Sequence, residues 1–179
     1  MIINTSHLQK NYTIDAMSYL DSAEASILYR TMAQIIKQHQ CNRITDVGCR
    51  TGELNRYLTN YDYYYYGFDT SEEPVEYART QYPKHCFEVR DWDNLYYIST
   101  DLVVFSSVLI YNTDPAAMFE RVCDFYKVKR AIVHEVNNNN TDELPYMDLN
   151  YFNRYEHTRY DFDLNIPVGH RTILDVQYK

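Results

Sequence analysis

The chain alternates between short runs of strand-forming residues and longer segments whose apolar residues recur at helical spacing. Residues 21–40 contain neither Gly nor Pro, and their apolar stripe falls at i, i+4, i+7, i+8 and i+11 on Leu28, Met32, Ile35, Ile36 and His39. This spacing predicts an amphipathic helix that covers one face of a sheet. His39 is expected to have a structural role at the end of that helix.

Five short apolar runs predict strands at residues 44–47, 63–68, 86–89, 102–105 and 131–133. Three helices are predicted between them: one from Gly52, one with a capping box at Thr70 and Glu73, and one that begins at Asp114-Pro115. The asparagine run at 137–140 indicates a surface loop, and residues 141–158 indicate a loop with a short helix. Residues 159–164 and 171–177 predict two final strands that pair as antiparallel neighbours.

This order of elements predicts an α/β fold with a Rossmann-like, mostly parallel sheet and helices on both faces. Seven strands are expected, with the antiparallel pair at the carboxyl terminus. The length of 179 residues suits a single domain over residues 1–179, in which residues 1–40 form an amino-terminal helical segment.

Composition limits the partners. The net charge of −8 and the pI of about 5.2 provide no general basic face, so nucleic acid is not expected as a partner. No apolar run approaches a membrane span, and no signal peptide is visible. The four cysteines form no C-x-x-C pair, which indicates free thiols and a cytoplasmic protein. No metal site is predicted, and the oligomeric state is left open.

A glycine turn follows the first predicted strand, at the edge where open α/β sheets bind ligands. Two of the four glycines lie there, within Asp46-x-Gly48-x-Arg50-x-Gly52. This stretch resembles the first motif of class I S-adenosylmethionine-dependent methyltransferases, of the type 11 or type 12 kind. Arg50 departs from the motif, which has glycine at that position. The resemblance covers roughly residue 40 to the end of the chain.

The resemblance implies S-adenosyl-L-methionine as the cofactor and assigns parts of it to strand ends. Asp46, Gly48, Cys49, Arg50 and Gly52 would line the cofactor site. Asp69, 17 residues after Gly52, would bind the ribose diol, with Thr70 beside it. The alternative for Asp69 is a helix N-cap.

Asp91 would accept from the adenine amine, and Trp92 would stack on the ring. Asp93 is a competing acid, and Trp92 could instead be a core residue. Ser106 and Ser107, after the fourth strand, would lie near the sulfonium and methionine end.

Methyl transfer from a sulfonium is an in-line displacement, so positioning the acceptor can supply much of the catalysis. A general base is needed only where the acceptor must lose a proton. Tyr111, His134 and Glu135 are the candidates, although residues of these types at strand ends are more often structural than catalytic. Asp-Pro-Pro-Tyr, Asn-Pro-Pro-Tyr and Pro-Cys motifs are absent from the sequence. With the acidic charge, this absence favours a small molecule or a protein side chain as the acceptor.

Other nucleotide folds fit less well. A dinucleotide fingerprint needs a third glycine, and no P-loop lysine motif occurs. A second interpretation remains open: a catalytically inactive, methyltransferase-like protein that binds the cofactor or a partner protein.

Overall fold

The structure is a computed structural model, and it describes residues 23–136, 148–164 and 170–179. The bounds of its three α-helices are α1 Ala23–Gln38, α2 Glu72–Gln81 and α3 Pro115–Tyr126. The strands are β1 Arg43–Val47, β2 Tyr64–Asp69, β3 Cys86–Val89, β4 Leu102–Ser106, β5 Arg130–Val136, β6 Glu156–Asp163 and β7 His170–Gln177. Short 3-10 helices cover Glu53–Tyr57, Leu109–Tyr111 and Leu149–Arg154.

All seven strands form one sheet in the order β3-β2-β1-β4-β5-β7-β6. β1 to β5 are parallel, and β7 pairs antiparallel with both β5 and β6. The α/β fold with its antiparallel terminal pair is therefore confirmed. Because the parallel strands all leave the sheet on one side, the segments after β1, β2, β3, β4 and β5 meet at a common carboxyl edge.

The sheet separates two apolar layers. One layer packs α1 and α2 against a face that includes Ile44, Val104, Ile132 and Ile173. The other packs α3 and the last 3-10 helix against the opposite face. Four of the five residues in the stripe predicted for α1 are buried, whereas His39, just after the helix, is half-buried. In α3 the sequence predicts an apolar stripe of Met118, Val122, Phe125 and Tyr126, but Phe125 is 37% exposed, so that part of the prediction is wrong. None of the described helices combines the length and apolar character that a bilayer span needs.

Two predicted helix starts are wrong. The segment after Gly52 forms only the five-residue 3-10 helix, although its leucines are buried. The predicted capping box at Thr70 does not form, because α2 begins one residue later, with Ser71 as N-cap and no side-chain cap hydrogen bond. The carboxylate of Asp69 accepts the Ser71 amide at 2.9 Å instead.

The α3 start agrees with the sequence: Asp114 accepts the Ala117 amide at 3.0 Å, and Pro115 occupies the first helical position. His39 follows α1 and bonds Asp175 of β7 at 2.8 Å, which confirms its structural role. The loop predicted at 137–140 and the first part, 141–147, of the segment predicted at 141–158 lie outside the described residues, as do residues 165–169 between the last two strands. The amino-terminal segment before residue 23 does so as well. The short helix predicted within 141–158 is the 3-10 helix Leu149–Arg154.

Candidate functional site

The glycine turn after β1 is held by hydrogen bonds to the end of β2. The amides of Gly48 and Cys49 both donate to the carbonyl of Phe68, at 2.8 and 3.1 Å. The Gly52 amide donates to the Cys49 carbonyl at 2.8 Å, which closes the turn. The turn therefore uses these amides internally. None of these three amides is available to a ligand.

Both glycines of the turn adopt left-handed backbone angles, with φ of +70° at Gly48 and +72° at Gly52. Space is limiting too. A Cβ at Gly48 would lie 2.6 Å from Val108, in the segment after β4, and one at Gly52 would lie 2.8 Å from Phe87 of β3. Glycine is required at these two positions because a side chain would clash with the neighbouring segments and because the backbone is left-handed.

Cys49 and Arg50 complete the turn in different ways. The Cys49 thiol is buried in the apolar layer under α1, and burial raises its pKa well above the usual value. Arg50 has a left-handed φ of +50°, which is uncommon for a residue with a side chain. Its Nε atom is buried, so the base of the guanidinium lies against the protein.

Asp69, at the end of β2, joins the glycine turn to α2. One carboxylate oxygen accepts the Arg50 amide at 3.1 Å, and the other accepts the Ser71 amide at 2.9 Å. A carboxylate has about four acceptor positions. Two amides fix its orientation and leave acceptor capacity on both oxygens, so its N-cap-like contact and a ligand-binding role are compatible. Thr70, beside it, is exposed.

Asp46 lies one residue before the end of β1 and is almost fully buried. Tyr65 of β2 donates its hydroxyl to one carboxylate oxygen, while Oδ1 has no hydrogen-bond partner in the structure. Burial raises the pKa of Asp46 to about 7, with a smaller contribution from Asp69. The β1 end thus holds a buried acceptor atom that no described protein group uses. Tyr65, which orients it, was not predicted from the sequence.

Asp91 and Trp92 follow β3, as predicted, but the Trp92 ring packs on the α3 side of the sheet. Asp91 is exposed and accepts the amide of Trp92 at 2.6 Å. The guanidinium of Arg121, on α3, lies 5.5 Å from the Trp92 ring, which packs against the apolar layer of α3. Trp92 therefore has the core contact that the alternative interpretation expected. The neighbouring acid, Asp93, contacts Arg121 through its backbone carbonyl at 2.9 Å.

Ser106 and His134 face each other across β4 and β5. The two residues are register partners, and Ser106 Oγ lies 2.9 Å from His134 Nδ1. His134 is 5% exposed, and its Nε2 has no hydrogen-bond partner in the described part of the chain. Burial, with a contribution from the charge of Arg171, lowers the pKa of His134 to about 3. This histidine is therefore neutral near pH 7 and has one unused ring nitrogen.

Glu135, the next residue, is fully buried on the opposite face of β5. Its Oε1 accepts the Leu109 amide at 2.9 Å, and Oε2 has no partner. Burial raises the pKa of Glu135 to about 8. Its main visible contact stabilises the 3-10 helix that ends at Tyr111. The backbone amide of Tyr111 donates a hydrogen bond to the carbonyl of Val108 at 3.2 Å.

Arg171, at the start of β7, was not predicted as a site residue. It is only 6% exposed, and its Nη1 reaches Ser107 Oγ at 3.4 Å while Nε has no partner. Ser107 itself has a left-handed φ of +53°. The sequence carries no clear signal for it, because polar residues also occupy positions 170, 172, 175 and 177 of the same strand.

These groups form a polar row across the α1 face of the sheet. On four adjacent strands, the residue one pleat beyond an apolar core residue, toward the carboxyl edge, is polar: Asp46 after Ile44, Ser106 after Val104, His134 after Ile132, and Arg171 before Ile173. The row is acidic at β1, neutral at β4 and β5, and basic at β7. Within the described residues no cluster of three or more His, Cys, Asp or Glu could hold a metal ion.

Comparison with known proteins gives a family match to this region. Residues 45–129 match the family described as "Methyltransferase domain". The matched segment contains the glycine turn, Asp69, Asp91 and Ser106, and it ends one residue before β5. Among curated protein sequences, none matches the chain significantly.

Solved structures show the same fold at low sequence identity. The N-methyltransferase NodS from Bradyrhizobium japonicum WM9, in complex with S-adenosyl-L-homocysteine, is 10% identical, covers 98% of each chain and gives a TM-score of 0.82. Magnesium protoporphyrin IX methyltransferase from Synechocystis PCC 6803, with bound S-adenosylmethionine, is 14% identical over 98% of this chain and 92% of its own, with a TM-score of 0.73.

A third match performs a different reaction by its name. The [4+2]-cyclase SpnF is 16% identical over 74% of this chain and 59% of its own, with a TM-score of 0.61. At these identities the structural matches establish the fold and leave the chemistry to the residues of the site.

Proposed function

Because the chain carries a class I S-adenosylmethionine-dependent methyltransferase domain, we propose that it transfers a methyl group from S-adenosyl-L-methionine to a small molecule or a protein side chain. The observation that carries this proposal is the Asp69 carboxylate, which two backbone amides hold at the end of β2 with acceptor capacity left on both oxygens. A vicinal diol needs two adjacent acceptors, and a fixed carboxylate supplies them.

The β1 end fits the other end of the cofactor. Asp46 Oδ1 is a buried acceptor without a hydrogen-bond partner, and it suits an ammonium donor of the methionine part. Gly48 and Gly52 keep the turn compact beside it, and Asp91 and Trp92 are assigned to the adenine. Bound there, the cofactor supplies a methyl group on a positively charged sulfur that is already activated for displacement.

Two buried residues near the proposed methyl acceptor are candidates for a general base. Neither is in a state that readily takes up a proton. His134, with a pKa of about 3, is a weak base near neutral pH, and Glu135, with a pKa of about 8, is mostly protonated. We assign His134 the role of orienting the acceptor through its unused Nε2, with Ser106 fixing the ring. This arrangement favours an acceptor that is nucleophilic without losing a proton first, such as an uncharged amine. Tyr111 remains a further candidate base.

Calorimetry with S-adenosyl-L-homocysteine, followed by a methyl-release screen, tests the proposal. We expect binding to the purified chain and turnover with a subset of amine acceptors, at rates that fall by tenfold or more in His134→Ala. Matched hydroxyl analogues of the active amines are the internal control. Absence of cofactor binding to the folded chain would end the proposal.

A second candidate is cofactor binding without methyl transfer. It is favoured by Arg50, which occupies a glycine position of the motif with φ of +50°, and by the cyclase that shares this fold. Binding of the homocysteine product without release of a methyl group to any acceptor class would favour this candidate.

We retain a cytoplasmic location as part of the proposal, because all four cysteines are unpaired thiols.

A further inference from the structure

Arg171 is a buried cation without a counterion among the described residues. Its only hydrogen bond there goes to a neutral hydroxyl, Ser107 Oγ, at a long 3.4 Å. No carboxylate lies within ion-pair distance of it in the described part of the chain, whereas Arg130 on β5, which is more exposed, pairs with Asp175 at 2.6 Å. Burying a guanidinium without an anion is costly, since its hydration is lost and nothing replaces it.

Neither neighbouring group on β5 supplies the missing charge. His134 faces the same side of the sheet and is neutral. Glu135 is the register partner of Thr172, next to Arg171, but it lies on the opposite face of the sheet and forms no ion pair with Arg171, and its Oε1 accepts the Leu109 amide. The charge of Arg171 lowers the pKa of Glu135, but burial outweighs this effect and raises that pKa to about 8. The Arg171 Nε–H therefore remains a buried donor that points to a ligand from outside the described residues.

The position of Arg171 separates it from the part of the site that holds the cofactor. β1, with Asp46, and β7, with Arg171, are three strand spacings apart, about 14 Å across the sheet. Ser106 and His134 lie between them. An anion at Arg171 would thus be presented beside the neutral histidine, on the side away from β2 and Asp69.

We propose that Arg171 binds an anionic group of the methyl acceptor, and that the acceptor is a carboxylate-bearing molecule. This proposal deepens the proposed function and rests on it for the identity of the ligand as an acceptor. A planar guanidinium matches a planar carboxylate through two parallel N–H···O bonds, and here Nε–H is available for one of them. The acceptor's reactive atom would then lie toward His134 and the cofactor.

The test uses acetate as the probe and the full chain labelled for NMR of arginine Nε–H groups. Acetate is titrated at constant ionic strength, first into the free protein and then into its complex with S-adenosyl-L-homocysteine. We expect a saturable shift of the Arg171 Nε–H signal in both. In the Arg171 variants the acetate affinity is read from the backbone amide signals of Ser107, which contacts Arg171, and of Thr172. In Arg171→Gln their saturable response should be lost, and in Arg171→Lys the acetate affinity should fall about tenfold, because the charge stays and the fork is removed.

Arg159→Gln is the matched control, since it removes the same charge from an exposed arginine of the neighbouring strand β6. It should leave the acetate response unchanged. If Arg171→Gln does not fold, the wild-type signal and the Lys variant carry the test. An unperturbed Arg171 signal in the wild type would overturn the proposal.

The second arm distinguishes two sources of the carboxylate. If S-adenosyl-L-homocysteine abolishes the acetate response, Arg171 holds the carboxylate of the cofactor and the acceptor assignment is wrong. Failure of the proposed function appears separately, as absence of S-adenosyl-L-homocysteine binding in a protein that still binds acetate at Arg171.

Discussion

Arg50 is the residue at which this chain departs most clearly from the methyltransferase motif. It adopts φ of +50° and donates its amide to Asp69 at 3.1 Å, so its backbone takes part in the glycine turn. A left-handed residue with a side chain costs about 1–2 kcal/mol, and only glycine avoids that cost. The chain therefore tolerates strain at this position, and strain is often retained where a side chain has a function.

We expect Arg50→Gly to weaken binding of the cofactor or the acceptor, while stability changes by less than about 1 kcal/mol. The relief of strain and the greater chain entropy of glycine offset each other. Arg50→Lys keeps the charge but not the planar fork, and it should retain part of the affinity. Calorimetry and urea unfolding measure the two effects. Binding by the Gly variant that equals or exceeds that of wild type would show that the guanidinium has no ligand.

Glu135 and His134 give the protein opposite dependences on pH. The pKa of Glu135 rises to about 8 on burial, so unfolding releases a proton between about pH 4.5 and 8 and stability falls as the pH rises there. The pKa of His134 falls to about 3, so unfolding takes up a proton below pH 6.5 and stability rises with pH in that range. Burial raises the pKa of Asp46 to about 7, so Asp46 also makes the stability fall as the pH rises, and this effect ends near pH 7.

Between pH 7 and 8, therefore, Glu135 is the group among these three that still titrates. We expect the free energy of unfolding to fall there by up to about 1.4 kcal/mol per pH unit. Urea unfolding at closely spaced pH values measures the slope. Glu135→Gln should flatten it, and Glu156→Gln, at an exposed position on β6, should not. A slope that survives in Glu135→Gln would assign the effect to another group.

At the scale of elements, the two helices that border the site begin in different ways. Asp114 caps α3 through its own carboxylate, which accepts the Ala117 amide at 3.0 Å. Ser71 occupies the N-cap of α2 without a side-chain cap bond, because the Asp69 carboxylate accepts its amide. The two caps therefore differ in how much their own side chains contribute.

Asp114→Ala should destabilise the protein by about 1 kcal/mol, within the range of roughly 0.5–2 kcal/mol for a lost capping oxygen. Ser71→Ala should cost a few tenths at most, since no cap bond is removed. Urea unfolding of both variants under one condition gives the comparison. Equal losses for the two would mean that the Asp114 contact contributes little in solution.

The interior strands could be predicted from sequence because their burial leaves a clear signal. β3 has the predicted bounds, β1 and β4 differ by a single residue at one end, and β2 differs by one residue at each end. β5 was predicted to stop at residue 133, but it continues through His134 and Glu135, whose polarity normally marks a strand end. β6 was placed three residues late because it is an edge strand whose half-exposed residues alternate weakly.

Candidate site residues could be predicted where an acidic residue lies at the end of a strand in the sequence. They were harder to predict where the hydrogen-bond partners come from strands that are distant in the sequence. Asp46, Asp69 and Asp91 do lie at the ends of adjacent strands. Tyr65 and Arg171 were missed, since a buried hydroxyl and a buried guanidinium look ordinary in one sequence. The 3-10 helix after Gly52 was also missed, because its leucines have helical spacing and only packing limits its length.

At the scale of the whole molecule, the proposed cofactor and the proposed methyl acceptor are assigned to different strands along the carboxyl edge of the sheet. β1 and β2 hold the acids assigned to the cofactor, and β7 holds the cation assigned to the acceptor, with neutral polar groups on β4 and β5 between them. A ligand that binds only the folded sheet must stabilise it, by an amount that depends on its dissociation constant. The increase in the free energy of unfolding that a ligand causes can therefore distinguish residues that bind the cofactor from residues that do not.

At a concentration 100 times the dissociation constant, S-adenosyl-L-homocysteine should stabilise the wild-type protein by about 2.7 kcal/mol. Asp69→Ala removes the carboxylate that we assign to the two ribose hydroxyls, and it should lower the affinity roughly 10- to 150-fold, from about 1.5–3 kcal/mol of charged hydrogen bonding. At the same ligand concentration its stabilisation should then be only about 0.3–1.4 kcal/mol.

Arg171→Gln, at the other end of the row, should keep nearly the full stabilisation by S-adenosyl-L-homocysteine, because the guanidinium is assigned to the acceptor. Asp62→Ala, at an exposed position before β2, controls for the loss of an acidic residue. Urea unfolding with and without the ligand gives all four values. Full stabilisation in a folded Asp69→Ala protein would mean that the ribose binds elsewhere on the edge.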